Sequence, residues 1–148
     1  MAEITIRLDG EPVAQGRPRA TVIGGRARLY DPQNSRDYKN LLKMCAYNEL
    51  MKQNQGKKLE GPLELKLWIG RSIPGSWSKK KQQRAIKKQV LPTSKPDTDN
   101  YIKGALDALN KTVFDDDSAV VLIQATKFYT DHPHITVKVS EVNNEKAE

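Results

Sequence analysis

Six aspartates, Asp97, Asp99, Asp107, Asp115, Asp116 and Asp117, fall within one short window against two lysines, Lys103 and Lys111, a local charge of −4. The whole chain carries a formal net charge of +7. Basic surface attracts polyanions, whose affinity then depends on salt. Clustered carboxylates repel the same polyanions unless a divalent cation stands between them. A metal-dependent enzyme acting on nucleic acid reconciles the two signs.

The acids arrive in two groups. Asp97 and Asp99 follow Pro96 with one residue between them, so in extended backbone they point to one side. A helix starting at Asn100 would place Asp99 at its N-cap, and a helix reaching back to Asp99 would put Lys103 on the same face. A following strand that returns beside the helix would bring Asp117 back to Asp97 and Asp99. Three or four carboxylates at one place raise each other's pKa, and a divalent cation relieves that. All-oxygen ligation suits Mg²⁺, with Mn²⁺ able to substitute, and Lys103 could hold a phosphate or a departing oxyanion. On spacing alone, Asp-x-Asp also serves as a helix cap and Asp115-Asp116-Asp117-Ser118 as a turn. One cysteine and two histidines supply no tetrahedral zinc set, and no EF-hand spacing is present.

The elements that must position these groups are readable in order. Ile4, Ile6 and Leu8 alternate as a half-buried strand. Thr21 to Ile23 and Arg26 to Tyr30, joined by Gly24-Gly25, predict a hairpin, since a primed turn needs positive φ. This ribbon carries Arg17, Arg19, Arg26 and Arg28, either as charge guarding a solvated edge or as phosphate contacts. Tyr38, Leu41, Leu42, Cys45, Ala46 and Leu50 mark one face of a helix over 35–53, with Cys45 read as packing. Leu63, Leu65, Leu67 and Ile69 alternate as a strand that Gly70 ends.

Residues 71–95 hold eight basic side chains and no acid. Ser76 or Ser78 caps a short helix running to about Val90, and the segment is either a solvated insertion or an arm gripping phosphates. Its candidate DNA contacts are Lys79, Lys80, Lys81, Arg84 and Lys95, and Trp77 either stacks on a base or, the better reading, pins the arm to the core. A helix over 100–110 and strands over 120–129 and 134–142 complete the pattern. The expected fold is one α/β (α+β) domain over 1–142, a mixed sheet with a hairpin and flanking helices, ending in a frayed tail at 143–148. With no apolar run of membrane-spanning length and no signal peptide, the expectation is a cytoplasmic protein without a membrane partner.

Lys95-Pro96-Asp97-Thr98-Asp99-Asn100-Tyr101-Ile102-Lys103, then Asp107-Ala108-Leu109-Asn110, then Asp116-Asp117-Ser118, closely resembles the core of the RusA family of Holliday junction resolvases. Gly16-Arg17-Pro18-Arg19 and Trp77-Ser78-Lys79-Lys80-Lys81 look like segments of its phage and prophage branch. The resemblance implies a RusA-like fold and a homodimeric, Mg²⁺-dependent endonuclease that cuts four-way junction DNA symmetrically in recombination and repair. By position it implies metal ligands at Asp97, Asp99 and Asp117, Asp116 as a fourth acid, and Lys103 as the essential lysine. Asp115 makes a triple acid where the family motif needs a pair. The basic stretch before the motif is longer than in the shortest members. The rival class is a non-catalytic basic dimer that binds branched DNA, its acids serving as caps.

Overall fold

The computed structural model describes residues 1–16, 19–23, 25–30 and 33–142. The elements follow in the order β1 (Glu3–Asp9), β2 (Arg19–Ile23), β3 (Arg26–Tyr30), α1 (Gln33–Asn54), β4 (Leu63–Ser72), α2 (Lys79–Ile86), α3 (Thr98–Leu109), β5 (Val120–Thr130) and β6 (His134–Glu141). A 3-10 turn, Asp117–Ala119, leads into β5.

Four strands form a mixed sheet in the order β1-β6-β4-β5, and β2-β3 form a separate antiparallel ribbon. Only β4 and β5 are parallel, and the crossover between them contains α2 and α3. Such a pair requires a long connection, and the whole basic arm and the Asp-x-Asp motif lie inside it.

Period-2 patterning decides which sheet face is buried. Ile4 and Ile6 of β1, Leu63, Leu65, Leu67 and Ile69 of β4, and Ile135, Val137 and Val139 of β6 are almost fully buried. They meet Leu42, Ala46 and Leu50 of α1 and Tyr101, Ala105, Ala108 and Leu109 of α3 in one core. The other face carries Glu64, Lys66 and Trp68 and has no helix in that core. The outer edge of β1 is closed by α1, where Gln53 accepts from the Thr5 amide at 2.9 Å and donates to its carbonyl at 2.8 Å. That satisfies backbone groups an edge strand would otherwise expose.

Three of the boundaries that differ from expectation bear on the arm and the acidic motif. β4 continues through Gly70 to Ser72. The glycine is needed for packing instead, because a Cβ there would stand 2.9 Å from Thr130 Cγ2 and 3.1 Å from the His134 ring. α2 starts as expected from the Ser78 cap, whose hydroxyl accepts from the Lys81 amide, but ends at Ile86. Lys88 takes φ +62°, and the Gln89 amide reaches the Arg84 carbonyl, a left-handed helix stop. α3 begins at Thr98, two residues early, which makes Asp97 the N-cap and places Asp99 inside the first turn. The extended geometry that would align those two carboxylates therefore does not hold.

Candidate active site

Asp97 has extended backbone (φ −71°, ψ 150°) at the start of α3, yet its side chain makes no capping hydrogen bond. Asp97, Asp99 and Lys103 are all exposed. Among the described residues none of the three side chains is engaged in a hydrogen bond or an ion pair. Asp99 and Lys103 stand four apart within the helix, on one face. Asp107, the next residue of that stripe, is drawn to Lys39 of α1 at 3.7 Å.

The loop that delivers Asp97 is held from β4 and β5. Lys127 Nζ donates to the Ser94 carbonyl at 3.2 Å and the Pro96 carbonyl at 3.0 Å. Arg71 Nη1 donates to the same Ser94 oxygen at 3.3 Å. Both cations sit near the C-terminal ends of the parallel pair, where open α/β sheets place their ligands. The other side of the loop opens into a cavity of about 770 Å³ whose lining includes Glu11, Gln15, Arg71, Lys95, Asp97 and Tyr101. Glu11 is fixed there by the Ser72 amide at 3.1 Å, and the Gln15 amide donates to the Asn100 carbonyl at 3.0 Å. Burial raises the pKa of Tyr101 above its ordinary value, so its hydroxyl stays protonated at neutral pH.

The second acidic group lies at the far end of α3. The Asp117 amide donates to Asn110 Oδ1 at 3.1 Å, and Asn110 is the C-cap of that helix. The twelve-residue helix α3, about 18 Å long, therefore separates Asp117 from Asp97, and all but its first two residues separate it from Asp99. The three acids do not converge within one chain, contrary to the returning-strand expectation. The reason is directional: α3 runs back along the sheet, so the chain re-enters β5 at the end opposite its Asp-x-Asp motif. Among the described residues no three His, Cys, Asp or Glu side chains are grouped to hold a metal ion. The donors suit a hard cation in type, being uncommitted carboxylates, but one chain gathers too few of them.

The neighbours of Asp117 have separate occupations. Asp115 pairs with Lys58 at 3.3 Å. Asp116 caps the 3-10 turn by accepting from the Ser118 amide at 3.1 Å, and hydrogen bonding from Ser118 lowers its pKa. Asp117 is thus the member of the triplet left without a side-chain partner among the described residues.

Of the candidate DNA contacts, Arg17 lies outside the described residues. The β2-β3 register, with Arg19 opposite Tyr30, Thr21 opposite Arg28 and Ile23 opposite Arg26, puts positions 19, 26 and 28 on one face of the ribbon. Lys79, Lys80, Lys81, Arg84 and Lys95 are exposed. Trp77 packs edge-on against Tyr129 with ring centroids 5.1 Å apart and carries Lys81 Nζ 3.9 Å above its own ring. It pins the arm.

Residues 9–140 match the family described as Endodeoxyribonuclease RusA. The chain belongs to this family. It is similar to the uncharacterized protein YqaN of Bacillus subtilis (strain 168), 39% identical over 142 residues that cover 95% of this chain and 97% of that one. It is also similar to the crossover junction endodeoxyribonuclease rusA of Lactococcus phage r1t, 28% identical over 141 residues covering 95% and 98% of the two chains.

Within this RusA-family site, sequence reading missed three positioning residues. Lys127 sits in an ordinary strand pattern, and nothing in its local sequence signals the carbonyls it holds. Arg71 is one of eight basic residues and carries no distinguishing mark. Asn110 stands inside the motif, and a polar residue at a helix C-terminus just before an acidic triplet was the available clue. No described helix is long and apolar enough to cross a membrane.

Proposed function

We propose that this protein is a divalent-cation-dependent endonuclease that resolves four-way DNA junctions in recombination and repair. The observation that carries the reading is the free pair of carboxylates at the start of α3, in a RusA-family chain whose surface is otherwise basic. An aspartate used only as a cap would spend its carboxylate on the first-turn amides, and Asp97 does not. Mg²⁺, or Mn²⁺ in its place, would be held by Asp97, Asp99 and Asp117, with Asp116 adjacent. When bound, it supplies an activated water and charge neutralisation at the scissile phosphate. Lys103, exposed on the same helical face as Asp99, contacts that phosphate or the oxyanion that forms. Arg19, Arg26 and Arg28 of the ribbon, with Arg17, and the lysines of the arm bind the flanking backbone.

The separation of Asp117 from the other two acids is best met by a homodimer. In a two-fold dimer, Asp117 of the partner subunit completes each site, and two sites face two equivalent strands of a symmetric junction. The deciding assay uses a labelled four-way junction with Mg²⁺ or with EDTA, its products resolved to the nucleotide. Paired, symmetric cuts that need Mg²⁺ are expected. Junction binding of equal strength in both conditions, with no cutting by any divalent metal, would establish the non-catalytic binder instead.

A further inference from the structure

α1 carries two apolar faces, and the core uses one of them. Leu42, Ala46 and Leu50 are buried against the sheet. Leu41, Met44, Tyr47 and Met51, spaced three, three and four residues apart, form a second stripe that stays between 49% and 63% exposed. The stripe borders a cleft of about 510 Å³ between α1 and the loops that follow α1 and α3. That volume falls in the range of ligand-binding clefts, about 300–1,000 Å³. Met44, Tyr47, Leu50 and Gly56 line it, and a Cβ at Gly56 would stand 2.7 Å from the Met51 sulfur, so the stripe runs on into the cleft wall. The charges in the lining have one sign: Lys43, Lys58 and Lys111, with no acid among the described residues. Lys43 and Lys111 make no side-chain hydrogen bond or ion pair among those residues. Lys58 pairs with Asp115 at 3.3 Å, but that carboxylate is 87% exposed, and a pair so placed is weak enough for another carboxylate to replace.

We propose that this cleft docks an acidic, apolar segment of a partner protein, with its carboxylates on the three lysines and its apolar side chains on Met44 and Tyr47. The two halves of the lining select that occupant together. Phosphates of a nucleic acid would answer the lysines but bring no apolar surface to Met44 and Tyr47. A second copy of the same face would cover the apolar stripe, but a two-fold contact would set the lysines against their own counterparts. A neutral apolar segment would strip water from the lysines and give them no partner. Methionine suits a surface of this kind, since its unbranched thioether chain adapts to varied apolar shapes. Exposed apolar patches rimmed by charge mark protein contact sites. Asp97, Asp99 and Lys103 do not line the cleft, so docking is separable from junction cutting.

Fluorescence anisotropy on the full chain tests this. The probe is a labelled peptide in which Asp alternates with Phe and Leu. One control peptide replaces every Asp by Asn, and the other replaces every Phe and Leu by Ser. The probe should bind at micromolar concentration and each control about 10-fold or more weakly. Lys43→Glu with Lys111→Glu should weaken the probe by a similar factor, and so should Met44→Ser with Tyr47→Ser. All four side chains are exposed, so thermal melts of both double variants should match the wild type. Affinity for a labelled DNA duplex should stay unchanged in the Met44→Ser, Tyr47→Ser protein. Failure of the probe to bind, equal binding of either control, or equal binding of the probe by both double variants would overturn the proposal. A duplex that displaces the probe and loses affinity with Met44→Ser and Tyr47→Ser would assign the cleft to DNA instead. Self-association lost in that same variant, read by sedimentation, would assign it to a second copy.

Discussion

Asp97 stands where an aspartate ordinarily caps a helix, yet its carboxylate stays out of the first-turn hydrogen bonds. That leaves both oxygens, and those of Asp99 one residue into α3, open to a cation. The helix dipole favours negative charge at this end and makes an uncapped pair tolerable. Asp97→Asn, Asp99→Asn and Asp117→Asn should each abolish junction cutting while leaving binding in EDTA equal or tighter, because phosphate meets less repulsion. Gel-shift and cleavage assays on the same preparations check both halves. Lys103 faces the opposite electrostatics, a cation near the positive end of a helix, with no ion pair to Asp99 among the described residues. If it only balanced carboxylate charge, saturating Mg²⁺ would make it dispensable. A lysine that contacts the phosphate or oxyanion cannot be replaced this way, and losing one such donor costs about 10²–10³ in rate. Lys103→Ala should therefore show that loss in single-turnover cleavage at every Mg²⁺ concentration.

Each element serves the site through its ends. The arm projects α2 from β5 on the Trp77–Tyr129 contact and presents Lys79, Lys80 and Lys81 to solvent. Replacing all three with Ala should flatten the slope of log affinity against log salt by up to about 0.9 for each phosphate no longer neutralised, equally for different DNA sequences. An unchanged slope would show a solvated face. At the opposite side of the sheet, Glu141 ties β1 to the turn before β4. Its carboxylate accepts from the Ala2 amide at 2.9 Å and the Glu60 amide at 2.8 Å. Those bonds, that from Glu60 first, hold its pKa below the ordinary 4.5. The native state thus binds fewer protons here than the unfolded chain. The stabilisation is present above about pH 4.5 and is lost as pH falls through the depressed native value. Urea midpoints of wild type and Glu141→Gln should differ at pH 7 and converge toward pH 3.

For the whole molecule, the position of Asp117 is decisive. With Asp97 and Asp99 at one end of α3 and Asp117 tied to Asn110 at the other, a single chain keeps the proposed ligands apart. Mixing inactive Asp97→Asn and Asp117→Asn proteins tests how they combine. If sites form across a dimer, the mixed dimer has one site with both acids intact, and nicking of the junction should return. If each chain builds its own site, every site in the mixture carries a lesion and no cutting returns. Denaturing gels of the mixed, refolded proteins distinguish the two outcomes directly.

Sequence alone was enough for the strand periodicities, the β2-β3 hairpin, the Ser78 cap and the shared helical face of Asp99 and Lys103. These depend on neighbours a few residues apart, through alternation, capping and turn conformation. Local rules also set the errors at Asn100, Gly70 and Val90, where a helix start, a sheet contact and a left-handed stop were settled by groups farther away. Only the tertiary structure decided which acids share a place. Whether Asp117 returns to Asp97 depends on the direction in which α3 crosses the sheet, and spacing carries no direction. Lys127 makes the same point, since two carbonyls more than thirty residues away give an unremarkable strand lysine its task. Interactions of that range come from packing the parallel β4-β5 pair against its crossover, which no local pattern encodes.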